Sequence, residues 1–128
     1  MSKYVIDAYA WLEYFDGTPK GEDVKKLVEN KENKIYTASI TMAEIVSVIK
    51  RRDRDHEQAL NTIPLLSKIF DIDKDICAES GSLHAEIKKE KKNFVLIDAF
   101  VLAIARKLKA KVVTGDPHFK NLKETVMI

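Results

Sequence analysis

The sequence predicts an α/β domain whose parallel sheet is covered by helices on both faces. Short runs rich in Val, Ile and Tyr alternate with longer stretches whose apolar residues recur at helical spacing, the pattern of repeated β-α-β units. The chain is 128 residues long with 45% hydrophobic and 33% charged residues, enough for one hydrophobic core and too little for two. No internal repeat, low-complexity stretch or linker divides it, so residues 1–128 are expected to form one domain.

Lys3 to Ile6 reads as a buried strand. Ala8, Trp11, Leu12 and Phe15 then mark one face of a helix that Asp16-Gly17 should close, glycine being the usual residue just past a helix end. Thr18-Pro19 restarts a helix as cap and first position, with Val24, Leu27 and Val28 as its apolar stripe. Lys34 to Ala38 is the second strand. A helix from about Ile40 to Arg52 carries Met42, Ile45, Val46 and Ile49, and another from about Asp55 to Lys68 contains Pro64, which should break or kink it. Ile69 to Ile72 is a short third strand. Asp73 caps a long helix bearing Ile76, Leu83 and Ile87, in which Gly81 suggests close packing. The cleanest amphipathic series follows at Ile97, Phe100, Val101, Ile104, Ala105 and Leu108. Lys111 to Thr114 is a fourth strand and Thr125 to Ile128 a fifth.

Four acids interrupt this pattern where strands should give way to helices or where helices begin. Asp7 follows Tyr4-Val5-Ile6, Glu44 sits in Thr41-Met42-Ala43-Glu44-Ile45, Asp98 follows Val95-Leu96-Ile97, and Asp116 follows Val113-Thr114-Gly115. A carboxylate among apolar neighbours is costly unless its charge is compensated. In an open parallel sheet the carboxyl ends of the strands border the ligand crevice. Four acids meeting there would repel one another, and a divalent cation is the natural remedy. Oxygen ligands around a hard metal suit phosphodiester chemistry. Each acid also has a local explanation. Asp7 and Asp116 fit helix caps, the latter before Pro117; Asp98 answers a positive helix start; and Thr41-Met42-Ala43-Glu44 fits a capping box, with Ser39 or Thr41 as the cap.

Other chemistries find less support. The four glycines are scattered, so no phosphate loop is present, and no Cys or His pair has zinc spacing. Cys77 reads as a core residue, His84 as a packed or boundary residue, and His118 as a surface-loop residue that, two places after Asp116, could also approach substrate or metal. The basic runs Lys50-Arg51-Arg52-Asp53-Arg54 and Lys88-Lys89-Glu90-Lys91-Lys92 read as solvated helix ends, with phosphate contact as the alternative. A net charge of +2 permits nucleic-acid contact without arguing for it. The absence of a long apolar run or signal-peptide core, and a single cysteine, make a reducing cytoplasm the expected location, away from membranes.

With these residues in view, the chain resembles a PIN domain, specifically the VapC-type toxin ribonucleases of prokaryotic toxin–antitoxin pairs. The resemblance spans nearly the whole chain. It rests on Val5-Ile6-Asp7, Thr37 to Ile45, Leu96 to Ala105 and Thr114-Gly115-Asp116, the ordered set of Asp, Glu, Asp and Thr-x-Asp. It implies a three-layer α/β/α sandwich with a central parallel sheet of four to five strands and a Mg²⁺ or Mn²⁺ site. It also implies metal-dependent endonucleolytic cleavage of RNA. The family's acidic positions fall on Asp7, Glu44, Asp98 and Asp116, and its supporting hydroxyls on Thr114 and Ser39. Asp7, Asp98 and Asp116 are then expected to hold the metal, with Glu44 completing the cluster or orienting the attacking water. A cognate antitoxin and a homodimer follow from the same resemblance. Two departures stand out: Tyr9 replaces a small polar residue two places after the first Asp, and Pro117-His118 replaces a further acid. The alternative function is a non-catalytic PIN-like module that binds RNA or protein. A phosphoaspartate receiver is a poorer match, because Asp7-Ala8-Tyr9 lacks the paired acids.

Overall fold

A computed structural model describes all residues, 1–128. The chain runs β1 (Lys3–Ile6), α1 (Ala8–Asp16), α2 (Pro19–Val28), β2 (Lys34–Ala38), α3 (Ser39–Arg51), α4 (Glu57–Leu66), β3 (Lys68–Phe70), α5 (Lys74–Lys88), α6 (Leu96–Leu108), β4 (Lys111–Thr114), a 3₁₀ turn (Pro117–Phe119) and β5 (Thr125–Met127). The five strands form one parallel sheet in the order β3-β2-β1-β4-β5. The chain builds outward from β1 through β2 to β3, then returns to the other side of β1 for β4 and β5. The strand order therefore reverses at β1 and β4, and the crevice of such a sheet opens above their carboxyl ends.

Alternation along the strands sorts the core into two layers. Val5 and Val112 pack with Ile76, Phe94, Phe119 and the apolar face of α6. Ile6, Ile35 and Val113 point the other way, toward Trp11 of α1, Val24 of α2, Ile45 and Ile49 of α3 and Ile63 of α4. Helices α1 to α4 thus cover one face and α5 and α6 the other, giving the three-layer sandwich. No helix is long and apolar enough to cross a membrane.

Several local expectations hold for the stated reasons. Gly17 closes α1 in the left-handed region at φ 66°, Thr18 caps α2 through Gly21 N–H, and Asp73 caps α5 through Ile76 N–H at 2.9 Å. Others are corrected. α4 continues two residues past Pro64 and stops at Leu66, because the exposed Pro64 leaves only the Leu60 carbonyl without its donor so close to the helix end. The third strand begins earlier than expected, at Lys68, paired with Tyr36. Gly81 has nothing near its missing side chain, so it serves no close approach. Cys77 is exposed, lying one residue around the helix from the buried Ile76 and Ser80 stripe. His84 is packed as expected, its Nε2 3.0 Å from the Phe94 carbonyl.

A buried polar chain ties the first face together. Trp11 Nε1–H donates to Thr37 Oγ1 at 3.0 Å, the Thr37 hydroxyl pairs with Ser67 Oγ at 2.8 Å, and Ser67 Oγ–H donates to the Ile63 carbonyl at 2.9 Å. Trp11 is fully buried, so its N–H has no water to turn to. Thr37→Val keeps the shape of the side chain but orphans the indole N–H, and is expected to cost about 1–3 kcal/mol. Urea unfolding should show a lower midpoint with an unchanged m-value.

Candidate metal centre

Each acid reaches the crevice by a different local device. Asp7 is the first residue after β1. Its backbone N–H donates to the Val113 carbonyl at 3.2 Å, which fixes it to β4, while its Oδ1 accepts from Ala10 N–H at 2.9 Å and caps α1. Asp116 follows β4 by two residues and caps the 3₁₀ turn through His118 N–H at 2.9 Å, with Pro117 in the first position. Asp98 is the third residue of α6 and is 8% exposed. Glu44 is half-buried in the second turn of α3. The capping explanation is therefore correct for Asp7 and Asp116, and it does not compete with a shared site: the caps are what hold both carboxylates at the sheet's edge.

The capping box proposed for Glu44 does not form. α3 begins at Ser39 rather than Ile40, Ala38 occupies the cap position without a side-chain hydrogen bond, and neither Ser39 nor Thr41 caps the helix. Starting the helix earlier places Glu44 too deep to reach the cap residue's N–H, and its side chain enters the crevice instead.

All four carboxylates line one cleft of about 220 Å³, whose walls include Leu12, Val48 and Val101. Ser39 does not line it. A larger open groove of about 680 Å³ between α5 and α6 gathers no such set of acids around one point, so the smaller cleft is the chemically organised one. Its electrostatics are unfavourable to charge. Burial, above all, raises the Asp7 pKa from 3.8 to about 7; hydrogen bonds from Thr114 and Ala10 N–H oppose this, and repulsion from Asp98 and Asp116 adds to it. Burial followed by repulsion from Asp98 and Asp116 raises Glu44 from 4.5 to about 7. Asp98 rises from 3.8 to about 6, chiefly by burial and then by repulsion from Asp116, with His118 and Val95 N–H pulling it down.

Thr114 links two of the acids: its fully buried hydroxyl accepts from Asp116 N–H at 2.9 Å and lies against the Asp7 carboxylate. His118 is partly exposed on the turn after β4, and it also approaches the acids, the other possibility its position offered. The one-turn 3₁₀ segment folds it back so that its Nδ1 lies 3.4 Å from Asp116 Oδ1. Ligand atoms of Asp98, Asp116 and His118 all lie within 4.8 Å of one another. The only advance signal was its position two residues beyond an acid in Asp-Pro-x.

The residues fit a dication. Asp98 Oδ2 is buried without any hydrogen-bond partner, a state a carboxylate oxygen does not tolerate unless something else compensates it. The carboxylate oxygens around it are ligands that Mg²⁺ and Mn²⁺ accept, and the imidazole of His118 lies beside them.

The PIN domain profile matches residues 4–124. The chain belongs to the PIN domain family. No curated protein sequence matches it. Among solved structures, this PIN domain is similar to a toxin–antitoxin complex from Klebsiella pneumoniae, at 22% identity and a TM-score of 0.74, covering 97% of this chain and 96% of that one. It is also similar to the sarcin–ricin-loop-cleaving toxin VapC20 of Mycobacterium tuberculosis, at 17% identity and a TM-score of 0.75, covering 94% and 95%. A third is VapBC2 of Rickettsia felis bound to a promoter DNA fragment, at 18% identity and a TM-score of 0.74, covering 98% and 97%. At these identities the likeness establishes the fold of this PIN domain.

Proposed function

We propose that this PIN domain is a metal-dependent endoribonuclease and the toxin of a type II toxin–antitoxin pair. The observation that carries the reading is the convergence of Asp7, Glu44, Asp98 and Asp116 on one cleft in which Asp98 Oδ2 has no protein partner. Asp98 and Asp116 would hold Mg²⁺ or Mn²⁺, with Asp7 and His118 beside them. What the bound dication supplies is hydroxide at neutral pH and positive charge against the phosphate oxygens.

The chain's own groups do the rest. Glu44, half-buried on the same cleft, can accept a proton from the attacking water. Thr114 positions Asp7 relative to the Asp116 turn. The apolar walls at Leu12, Val48 and Val101 lower the polarity around the more buried acids, Asp7 and Asp98, which strengthens the charge interactions there. A module that only binds RNA or protein has no need of all four acids, and this chain keeps them all.

The toxin role is supported by the neighbours solved as toxin–antitoxin complexes. It brings with it an antitoxin partner, a homodimer and RNA as substrate. Val95 and Leu96, exposed at the start of α6 near Asp98, are apolar side chains such a partner would cover. Purified protein should cleave single-stranded RNA with Mg²⁺ or Mn²⁺, leave 5′-phosphate ends and stop when EDTA is added. Cleavage that continues in EDTA overturns the metal-dependent reading, and normal growth of cells expressing the soluble protein overturns the toxin role.

A further inference from the structure

The cleft presents four carboxylates and no Lys or Arg among its lining residues, so a polyanionic strand needs cations on the rim. Arg52 and Arg54 are poor candidates because both turn to Asp16, at 3.1 and 3.5 Å. Lys20 is different. It is exposed at the second position of α2, and its Nζ donates to the Tyr9 hydroxyl at 3.2 Å. Its ammonium stays 5.4 Å from the Tyr9 ring centroid, which places it off the hydroxyl end of the ring rather than over its face.

Tyr9 is itself a wall of the acid cleft, at the second position of α1. Its ring is pinned against the turn that carries Asp116. A Cβ on Gly115 would come within 2.2 Å of Tyr9 Cε1, so only glycine lets the ring lie there. The ring thus fixes one end of a hydrogen bond whose other end is a flexible lysine. Ordering a free lysine side chain costs rotamer entropy, and this contact meets part of that cost before any ligand arrives. One of the three ammonium donors is used on Tyr9, leaving two, and the Tyr9 hydroxyl, acting here as acceptor, still has its own proton to give.

We propose that Tyr9 and Lys20 form a phosphate-binding subsite on the cleft rim, receiving a phosphate of the RNA strand next to the one cleaved. The inference rests on the ribonuclease reading and names positioning residues for it: Lys20 as the phosphate contact and Tyr9 as the group that orients it.

The test uses full-length protein and a fluorescently labelled single-stranded RNA of mixed sequence, with cleavage followed in Mn²⁺ and binding followed in Ca²⁺ across a salt series. Lys20→Met is expected to raise KM roughly 5- to 20-fold with kcat within about 2-fold, and to reduce the salt slope of log Kd by about 0.7, the loss of one single-strand phosphate contact. Lys20→Arg should restore the slope, which a merely structural role would not predict. Tyr9→Phe, which keeps the ring over Gly115, should raise KM by a smaller factor. Wild-type cleavage with unchanged KM and salt slope in Lys20→Met overturns the subsite and leaves the ribonuclease reading standing. No cleavage by the wild type overturns the reading, and the subsite falls with it. Matching thermal melts for all variants exclude misfolding as the cause.

Discussion

Asp98→Asn is expected to reduce RNA cleavage by on the order of 10³-fold or more while leaving the protein folded. Unlike Asp7 and Asp116, Asp98 caps no helix. It is buried, its Oδ2 has no hydrogen-bond partner, and it shares the 4.8 Å grouping with Asp116 and His118. Asparagine keeps the shape and one oxygen but removes the charge that attracts a dication. A metal contributes several kcal/mol of transition-state stabilisation, and about 4 kcal/mol corresponds to a thousandfold in rate. The same substitution relieves repulsion, since Asp98 raises the pKa of both Asp7 and Glu44. The metal-free variant should therefore melt no lower than the wild type at pH 8, which separates loss of chemistry from loss of fold. Measured kcat/KM within about tenfold of wild type would remove Asp98 from the metal centre.

The strand–helix alternation and the four acids were legible because both depend on local rules. Period-2 and period-3.6 patterns fix which side chains face the core, and strand order then places the ends of β1 and β4 together. What could not be read was anything that depends on a one-residue shift or on contact across the chain. The start of α3 at Ser39 decided that Glu44 enters the cleft instead of closing a capping box, yet Ser39, Ile40 and Thr41 are all plausible first residues by propensity. His118 depended on how tightly Pro117 turns the chain after Asp116. Tyr9 looked like a simple departure from the family pattern, and its meaning emerged only from Gly115 on another strand's exit and Lys20 on another helix. The supporting role given to Ser39 finds no contact in the cleft, whereas Thr114 sits between Asp7 and Asp116.

The metal-free protein should lose stability as pH rises, and Mg²⁺ or Mn²⁺ should restore it. The sign follows from proton uptake. Asp7 moves from 3.8 in the unfolded chain to about 7 in the folded one, so between those values the native state binds the extra proton. Stability falls with pH wherever the native state binds more protons than the unfolded state. The contribution of Asp7 is therefore intact below pH 4, is withdrawn progressively up to about pH 7, and amounts to a loss on the order of 4 kcal/mol. Glu44 and Asp98, also raised, act in the same direction and over a similar window. A dication requires the deprotonated carboxylates, so its binding strengthens over the pH range in which the free protein weakens. At a hundred times its Kd it adds about 2.7 kcal/mol to stability. The melting temperature in EDTA should then be higher near pH 5 than at pH 8, and added Mn²⁺ should raise it far more at pH 8. Asp7→Asn supplies the control, because asparagine caps a helix as well as aspartate does and α1 keeps its bond from Ala10 N–H. That variant should melt higher than wild type at pH 8 in EDTA, show a flatter pH profile and gain less from Mn²⁺. A wild-type melting temperature that rises with pH in EDTA and ignores Mn²⁺ would mean that the four acids do not share one uncompensated cleft.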